Sequence, residues 1–339
     1  MKAALIKEPE RMEIVAKERP TRGAGETLIR VARVGVCGSD LHFYTGHNPF
    51  AEYPRVLGHE CSGVVAEADP ESDFRRGDKI TVDPVLNCGQ CYACRIGKPN
   101  ICENLKVFGV HTDGAMGEYV SVPTNNLYKS EGAQLDSLAL AEPLSIGLQA
   151  NTRGETAEGD TVTIIGAGTI GLMCLFVAKR VIGAERVISL DILENRLEFA
   201  RLLGADVTLN PEAEDFADRY AEATEGVGAE VTIEAVGKPA TVKRTLELTA
   251  PAGRIVILGI STDPVEFTTG DFIGRELEVV GSRLNTGQFP RALKVLESKG
   301  DSLKKLITHR LGLEKLEQAF RLMSESPAET LKVMLEVSD

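Results

Sequence analysis

The sequence predicts an α/β protein built from a β-rich domain and a doubly wound parallel-sheet domain. The first 150 residues contain short apolar runs separated by Gly, Pro and Asp, as expected for the short strands of a folded sheet. From about residue 160, β-branched runs alternate with segments of helical period, which is typical of a parallel sheet covered by helices. A chain of 339 residues is also too long for one compact core, which favours two domains.

The predicted boundaries follow this change of pattern, with the β-rich domain at residues 1–150 and the parallel-sheet domain at residues 151–275. In the β-rich domain the predicted strands are ETLIRVARVGV, CSGVVAEA, DKITVDPV and GEYVSVP. In the parallel-sheet domain they are DTVTIIGAG, RVISLD, VTLN, AEVTIEAVG, RIVILGI and LEVVGSR, with helices at IGLMCLFVAKRVIG, ENRLEFARLLGA and ATVKRTLELTAPAG. Residues 276–339 carry two further helical segments and are expected to return to the first domain.

Composition and charge exclude several classes of function. The net charge of −12 argues against a nucleic-acid partner, because a phosphate backbone requires a basic surface. No apolar run approaches the roughly 20 residues that span a bilayer, and the amino-terminal stretch becomes charged too early for a signal peptide. We therefore expect a cytoplasmic protein that binds a small molecule and neither nucleic acid nor membrane.

A glycine motif predicts a Rossmann dinucleotide site. Gly166, Gly168 and Gly171 follow a predicted strand directly and open a predicted helix, and Asp191 ends the next strand 20 residues beyond Gly171. The helix amino terminus offers amide donors to a pyrophosphate, and Asp191 should accept the ribose hydroxyls and repel a 2′-phosphate. This favours NAD over NADP, whereas glycines that serve only a turn are the alternative. Further cofactor contacts are expected at Ile170, Arg196, Val236, Gly259 and Ser282.

A cysteine-rich segment predicts a structural zinc site. Cys88, Cys91, Cys94 and Cys102 are spaced x2, x2 and x7, and four thiolates close the tetrahedral shell of a zinc ion. Closed shells are structural because they leave no position for a substrate. An iron–sulfur cluster and unligated thiols are the alternatives, but the bacterial ferredoxin spacing of x2, x2 and x3 followed by proline is not present here.

A second set of potential ligands is scattered along the chain. Cys37, His59 and Glu60 lie within 24 residues of one another, and Glu142 comes much later at the start of a predicted helix. Cysteine, histidine and glutamate together are a plausible zinc set with an open fourth position, as catalytic zinc requires. Each residue also has an ordinary structural interpretation: Cys37 as a small core residue and Glu142 as a helix cap.

Over essentially its full length, the chain resembles the zinc-dependent medium-chain alcohol dehydrogenase superfamily. The resemblance is carried by GVCGSDLH, GHE followed by SGVV, the four-cysteine segment, AEPL and GAGTIG. Within that superfamily it is similar to the sorbitol-dehydrogenase-like branch, and it looks closest to bacterial starvation-sensing oxidoreductases and L-galactonate or L-gulonate 5-dehydrogenases. The resemblance implies a GroES-like catalytic domain, a Rossmann NAD domain and two zinc ions per chain.

The resemblance also implies roles for individual residues. Cys37 and His59 become catalytic-zinc ligands with either Glu60 or Glu142 as the third, and Ser39 and His42 match the proton-relay positions of the family. Substrate contacts are expected at Arg283 and Asn285. An arginine at position 283 can hold a carboxylate through two parallel hydrogen bonds, although it can equally pair with a local acid or another subunit.

The predicted reaction is hydride transfer from a secondary alcohol of a sugar acid, such as L-gulonate or L-galactonate, to NAD. A polyol such as sorbitol, or L-threonine, is the alternative substrate. A non-catalytic regulatory homologue and a zinc-free quinone reductase are the alternative classes, and the cysteine segment counts against the latter. The family forms dimers or tetramers, and the predicted strand LEVVGSR suits pairing between subunits.

Overall fold

The computed structural model describes residues 1–338 and divides the chain into two compact units. The first unit contains Met1–Glu142 and residues 286–338, and the second contains Pro143–Asn285. Among the described residues, no helix combines the length and the apolar character that crossing a membrane requires.

The strands and helices are numbered in chain order. The strands are β1 Lys2–Glu8, β2 Arg11–Ala16, β3 Glu26–Val36, β4 Arg55–Val56, β5 Glu60–Glu67, β6 Lys79–Val82, β7 Val85–Leu86, β8 Lys106–Val107, β9 Tyr119–Pro123, β10 Leu127–Lys129, β11 Thr161–Ile165, β12 Arg186–Leu190, β13 Val207–Leu209, β14 Ala229–Glu234, β15 Thr249–Ile257, β16 Glu278–Gly281, β17 Ile307–Gly312 and β18 Lys332–Glu336. The α-helices are α1 Gly38–Tyr44, α2 Tyr92–Arg95, α3 Leu135–Leu138, α4 Ala141–Arg153, α5 Thr169–Phe176, α6 Glu194–Leu203, α7 Phe216–Ala223, α8 Pro239–Leu248, α9 Thr269–Ile273, α10 Phe289–Leu303 and α11 Leu316–Glu325. Short 3₁₀ turns occupy Pro99–Ile101, Thr124–Asn126, Lys304–Leu306 and Leu313–Lys315.

The first unit is built on a mostly antiparallel sheet with the order β10-β6-β5-β3-β18-β17, in which β9 also pairs with β3. A smaller sheet, β2-β1-β4, contributes to the same apolar core. Strand β18 lies between β3 and β17, antiparallel to the first and parallel to the second. The last strand of the chain therefore lies beside β3, whose carboxyl end leads into the candidate metal site.

The second unit is a parallel sheet with the order β13-β12-β11-β14-β15-β16. Numbered within the unit, this is the 3-2-1-4-5-6 order of the Rossmann fold, whose switch point lies between its first and fourth strands. Strand β11 is buried on both faces, as the apolar run predicted: its Val162 and Thr163 point to opposite faces and are both fully inaccessible. The α/β class and both predicted folds are confirmed.

Two predicted helices end differently in the structure. Of ATVKRTLELTAPAG, only the first part is helical, because α8 ends at Leu248 and Thr249 begins β15. Pro251 explains the change, since proline disfavours a helical conformation in the residue before it. In IGLMCLFVAKRVIG, α5 widens after Phe176 into a π-helical turn, Val177–Ile182, which ends at Gly183 with φ of +92°.

Candidate active site

Three of the four predicted catalytic-zinc ligands lie together in the first unit. Cys37 follows β3 and caps the amino terminus of α1, while His59 and Glu60 stand at the start of β5, which pairs with β3. One ligand atom from each of the three lies within 4.8 Å of the others. His59 and Glu60 are buried and Cys37 is half-buried. A thiolate, an imidazole and a carboxylate gathered in this way fit a zinc ion.

Asp40 orients this group. Its Oδ2 accepts a hydrogen bond from the amide of Cys37 at 2.9 Å, and its Oδ1 lies 3.6 Å from Nδ1 of His59. Within residues 1–338, neither that oxygen nor that nitrogen has a hydrogen-bond partner. A carboxylate on the Nδ1 side leaves Nε2 for a metal, which is the usual arrangement around a metal-binding histidine. Burial lowers the pKa of His59, but Asp40 and Cys37 raise it well above its ordinary value.

The side chain of Lys332 forms an ion pair with the Glu60 carboxylate. Nζ of Lys332, the first residue of β18, lies 2.7 Å from each Glu60 oxygen and 3.1 Å from the carbonyl oxygen of Val36. Lys332 is 2% exposed and Glu60 is fully buried. Burial lowers the pKa of Lys332, but Glu60 and Cys37 outweigh it and raise the pKa above the ordinary lysine value. The pair is therefore an ion pair in the interior of the unit.

Glu142 is placed close to these residues but outside the group of three. It is the second residue of α4, is 5% exposed, and its carboxylate does not lie within 4.8 Å of all three ligand atoms. Burial raises the pKa of Glu142 to about 7, while the positive charges of His59 and Lys332 oppose that rise. Its role as a metal ligand stays a prediction.

The two predicted relay residues lie on α1, the helix that begins immediately after Cys37. Ser39 and His42 are three positions apart and so lie on one face of the helix. Ser39 is half-buried and the side chain of His42 is exposed. A proton passed from Ser39 to His42 would thus move from the interior of the unit towards water.

The four cysteines of the second predicted metal site also converge. The Sγ–Sγ distances are 3.5 Å for Cys91 and Cys94, 3.8 Å for Cys91 and Cys102, and 3.4 Å for Cys88 and Cys102. The edge of a tetrahedron with Zn–S bonds of 2.3 Å is about 3.8 Å. The sulfurs therefore have the spacing of a zinc tetrathiolate.

The electrostatics of this cluster favour a cation. Amide groups of Gln90 and Cys91 lower the pKa of the Cys88 thiol to about 6. Desolvation raises the pKa of the Cys94 thiol to about 12, and hydrogen bonds to the sulfurs of Cys91 and Cys102 add to that rise. Zinc binds thiolates and favours their deprotonation, so four cysteines gathered in this way fit a structural zinc ion.

In the second unit, the glycine motif forms the turn from β11 into α5. Gly166 has φ of +96°, a conformation that favours glycine, and a Cβ on Gly171 would lie 1.8 Å from the carbonyl oxygen of Gly166. A Cβ on Gly168 would meet nothing within 4 Å, which leaves open space at the amino end of α5. That opening fits the pyrophosphate of a dinucleotide.

Asp191 follows β12, and its carboxylate forms a hydrogen bond with the backbone of the glycine turn. Its Oδ2 accepts a hydrogen bond from the amide of Ala167 at 2.8 Å, its Oδ1 accepts one from Leu193 at 2.9 Å, and Arg196 lies 3.7 Å away. The remaining predicted cofactor residues also follow carboxyl ends of strands of this sheet, which is where doubly wound sheets bind ligands. These are Val236 after β14, Gly259 after β15 and Ser282 after β16. Ile170 lies within the first turn of α5.

The two predicted substrate residues also come after β16. Arg283 is exposed, whereas Asn285 is 1% exposed. Their contact with a substrate stays a prediction. Strand β16 is the edge strand of its sheet, and its Val279 is 49% exposed. The pairing of this strand with its copy in another subunit also remains a prediction.

Sequence reasoning missed three residues that organise these sites: Lys332, Asp40 and Glu234. Glu234 ends β14, is fully buried, and its Oε1 accepts hydrogen bonds from the amides of Val236 and Gly237 and from the hydroxyl of Thr241. A charged residue that begins or ends an apolar strand was the signal available for Lys332 and Glu234. Asp40 stood within the ligand-rich stretch but received no role.

Comparisons with known proteins cover both units of the chain. The chain matches the alcohol dehydrogenase GroES-like domain over residues 23–132 and the zinc-binding dehydrogenase domain over residues 169–298. It is 40% identical over 341 residues to the starvation-sensing protein RspB of Escherichia coli K12, with 100% of both chains covered. It is 36% identical to L-threonine 3-dehydrogenase of Pyrococcus abyssi, with 92% of this chain and 91% of that one covered. It is 33% identical to L-galactonate-5-dehydrogenase of E. coli K12, with 94% of each covered.

Among solved structures, a short chain alcohol dehydrogenase (rspB) from E. coli CFT073, complexed with NADH, superimposes with a TM-score of 0.93. The two sequences are 37% identical and 99% of each chain is covered. The two domain matches and the full-length relatives indicate one and the same family. The chain therefore belongs to the family of zinc-dependent medium-chain alcohol dehydrogenases, which are oxidoreductases that use a nicotinamide cofactor.

Proposed function

We propose that this protein oxidises a secondary alcohol of a sugar acid, of the L-gulonate or L-galactonate kind, with NAD as hydride acceptor. The observation that carries the proposal is the grouping of Cys37, His59 and Glu60 within 4.8 Å in a family whose members are zinc-dependent dehydrogenases. The sugar-acid substrate is supported by the similarity to L-galactonate-5-dehydrogenase over 94% of the chain.

In this proposal Cys37 and His59 hold the catalytic zinc ion with one glutamate as the third protein ligand. When bound, zinc supplies Lewis acidity that makes the substrate hydroxyl easier to deprotonate, and NAD supplies the hydride acceptor. Asp40 keeps the imidazole of His59 oriented through its Nδ1 side. The protein's own contribution is to position the alcohol and to remove its proton.

Ser39 and His42 carry that proton. The hydroxyl of Ser39 accepts the substrate proton as it gives up its own towards His42, and the exposed imidazole of His42 releases a proton to solvent from the same face of α1. Histidine suits this task because its ordinary pKa lies close to neutral pH.

Arg283 is the proposed partner of the substrate carboxylate. The guanidinium group presents two parallel N–H donors, a geometry that matches a carboxylate and has no equivalent partner on a neutral polyol. Arg283 comes two residues after β16, at the same edge of the sheet as the glycine turn.

A screen of NAD reduction across hexonates, polyols and L-threonine tests the proposal. We expect turnover on a hexonate, and we expect Arg283→Ala to lower kcat/KM on it about 10- to 100-fold, the loss associated with a hydrogen bond to a charged group. Activity on sorbitol should change little. The matched control is Arg219→Ala, which removes an exposed arginine of α7. Equal losses on both substrates would exclude the carboxylate role, and turnover of polyols or threonine alone would exclude the sugar-acid assignment.

A further inference from the structure

The carboxylate of Glu234 is buried in the second unit without a positively charged partner. Glu234 is the last residue of β14 and is 0% exposed. Within the described part of the chain, residues 1–338, its side chain forms no ion pair and its Oε2 has no hydrogen-bond partner. A buried carboxylate is costly unless a charge of opposite sign accompanies it. The missing partner of Glu234 therefore points to a cation that comes from outside the chain.

The other oxygen of Glu234 is held by the turn that follows β14. Oε1 accepts hydrogen bonds from the amides of Val236 at 2.9 Å and Gly237 at 2.8 Å, and from the hydroxyl of Thr241 at 2.7 Å. An ionised carboxylate is an acceptor with two oxygens, and such donors fix its orientation. All three donors are neutral, so they position the carboxylate and leave its negative charge uncompensated.

The unpartnered oxygen of Glu234 lies against Gly259, one of the expected cofactor contacts. A Cβ on Gly259 would lie 2.6 Å from Oε2, so the close approach of the carboxylate requires glycine at this position. Gly259 is half-buried, and Val236 on the neighbouring turn is 41% exposed. The carboxylate therefore lies directly behind the partly exposed backbone at the carboxyl edge of the sheet, where a Rossmann fold binds its ligand.

The strand order indicates which end of the dinucleotide faces Glu234. Glu234 pairs with Ile165, which directly precedes the glycine turn, across the switch point between β11 and β14. Asp191, the expected partner of the adenosine ribose, follows β12 in the first half of the sheet. Since each half of a Rossmann sheet binds one mononucleotide, the half formed by β14, β15 and β16 faces the nicotinamide end. The nicotinamide ring is positively charged in NAD and neutral in NADH.

We propose that Glu234 is a specificity-determining residue for the oxidation state of the cofactor: its buried negative charge favours the cationic ring of NAD over the neutral ring of NADH. The attraction acts through space, in a site where neighbouring protein charges tune the cofactor. It favours the oxidised cofactor at the start of alcohol oxidation and the departure of the reduced one at its end. The inference uses the nicotinamide cofactor of the proposed function, and it does not depend on which alcohol is oxidised.

Titration of the protein with NAD and with NADH, in the absence of an alcohol, tests this role. Glu234→Gln removes the charge and keeps an oxygen that can accept the hydrogen bonds from Val236 and Gly237. We expect its Kd for NAD to rise about 3- to 20-fold, as the loss of one partly screened charge should cause, and its Kd for NADH to change less than about 2-fold. Calorimetry measures NAD binding and fluorescence measures NADH binding. Equal losses for the two forms would show that Glu234 only supports the turn, and would overturn the proposal.

Two further variants separate the charge of Glu234 from its structural contacts. Thr241→Val removes one donor to Oε1 and leaves the charge, so the ratio of the two Kd values should stay at the wild-type value. Glu230→Gln is the matched control, because Glu230 is an exposed residue of the same strand whose Oε2 accepts a hydrogen bond from the amide of Thr161 at 2.8 Å. Both of its Kd values should equal those of the wild type. A shifted ratio in either variant would overturn a specific role for the Glu234 charge.

If Glu234→Gln does not fold, Thr241→Lys decides. Thr241 is half-buried beside the carboxylate, so a lysine there can neutralise Glu234 without removing it. We expect this variant to bind NAD more weakly relative to NADH than the wild type does, and an unchanged ratio would overturn the proposal.

The outcomes distinguish this inference from the proposed function. A screen that finds no turnover of sugar acids would overturn the proposed substrate and leave the NAD and NADH titrations decisive for Glu234. A wild-type protein that binds neither form of the cofactor would overturn both the proposed function and the role of Glu234.

Discussion

At the scale of single residues, the chemistry of the candidate site depends on how each ligand is held. Asp40 lies on the Nδ1 side of His59 and accepts a hydrogen bond from the amide of Cys37, so one carboxylate lies against two of the candidate ligands. The Lys332 ammonium group does the same for Glu60. The ligands are thus oriented by side chains that need not touch the metal, a common feature of metal sites in proteins.

Replacing Cys37 should remove one metal and leave the other. We expect Cys37→Ser to bind one zinc ion per chain where the wild type binds two, and to lose NAD-dependent alcohol oxidation, because the catalytic site loses its only thiolate ligand. Elemental analysis and turnover measure both effects. Cys174→Ala, at a buried thiol in the second unit, is the control and should keep two ions. A Cys37→Ser protein with two zinc ions and full activity would show that this assignment is wrong.

Site residues that are clustered in the sequence could be predicted, whereas a contact between residues far apart in the chain could not. The ligands at 37, 59 and 60 and the four cysteines are clustered along the chain, and their side-chain chemistry alone indicates a metal. Lys332 lies 272 positions from Glu60, and it begins an apolar strand as many lysines do. Only the pairing of β18 with β3 brings it to the site. Glu60 and Glu142 were both singled out as candidate ligands, but their spacing carries no information about which long-range contacts each of them makes.

At the scale of elements, the β11–α5 turn uses its glycines for two different physical reasons. Gly171 must lack a side chain because the turn itself fills that space, whereas the space at Gly168 is open. Among the three glycines of this motif, Gly171 is therefore required for packing and Gly168 leaves space for a ligand. The motif was predictable because both demands fall within six residues of a strand end.

Replacing Gly171 and replacing Gly168 should therefore have different effects. Gly171→Ala places a Cβ 1.8 Å from a carbonyl oxygen and should lower the free energy of unfolding by about 1–3 kcal/mol, as overpacking does. Gly168→Ala should leave Tm unchanged but weaken NAD binding about 10-fold or more, because the side chain occupies the approach of the pyrophosphate. Thermal unfolding and NADH titration measure the two effects. Normal NAD affinity in Gly168→Ala would mean that the cofactor does not pass over this turn.

At the scale of the whole molecule, the first unit is assembled from both ends of the chain. Residues 286–338 supply β17 and β18, and charged contacts fasten them to earlier segments. Asp136 accepts hydrogen bonds from Arg33 at 3.0 Å and from Arg310 at 2.8 Å, and so joins α3 to β3 and β17. The alternating strand pattern made a β-rich unit predictable, whereas the insertion of β18 into its middle depends on long-range pairing.

The stability of this junction should depend on pH. Burial raises the pKa of Asp136, but the hydrogen bonds and charges of Arg310 and Arg33 outweigh it and lower the pKa below the ordinary value of 3.8. The charged carboxylate therefore stabilises the fold above pH 3.8, and that contribution is lost as the pH falls through the lowered pKa. Asp136→Asn should reduce stability by about 1–2 kcal/mol at pH 7, and the difference in Tm from the wild type should shrink towards pH 3.

The control for this prediction is Glu314→Gln, which removes an ion pair with Lys2 at 2.7 Å that is more than half exposed on both sides. Exposed pairs contribute little, so its Tm should stay close to that of the wild type at every pH. A constant Tm difference for Asp136→Asn between pH 7 and pH 3 would exclude a charge-dependent role.

The central position of β18 also sets an order of events during synthesis. Glu60 leaves the ribosome 272 residues before Lys332, an interval of about 14–54 s at 5–20 residues per second. For that time the nascent chain carries Cys37, His59 and Glu60 without the lysine that later holds the glutamate. A metal ion that arrives in this interval meets an unpaired Glu60 carboxylate, whereas one that arrives after β18 has inserted meets a carboxylate already paired with Lys332. The supply of metal during translation can therefore affect this site in a way that refolding of the full-length chain would not reproduce.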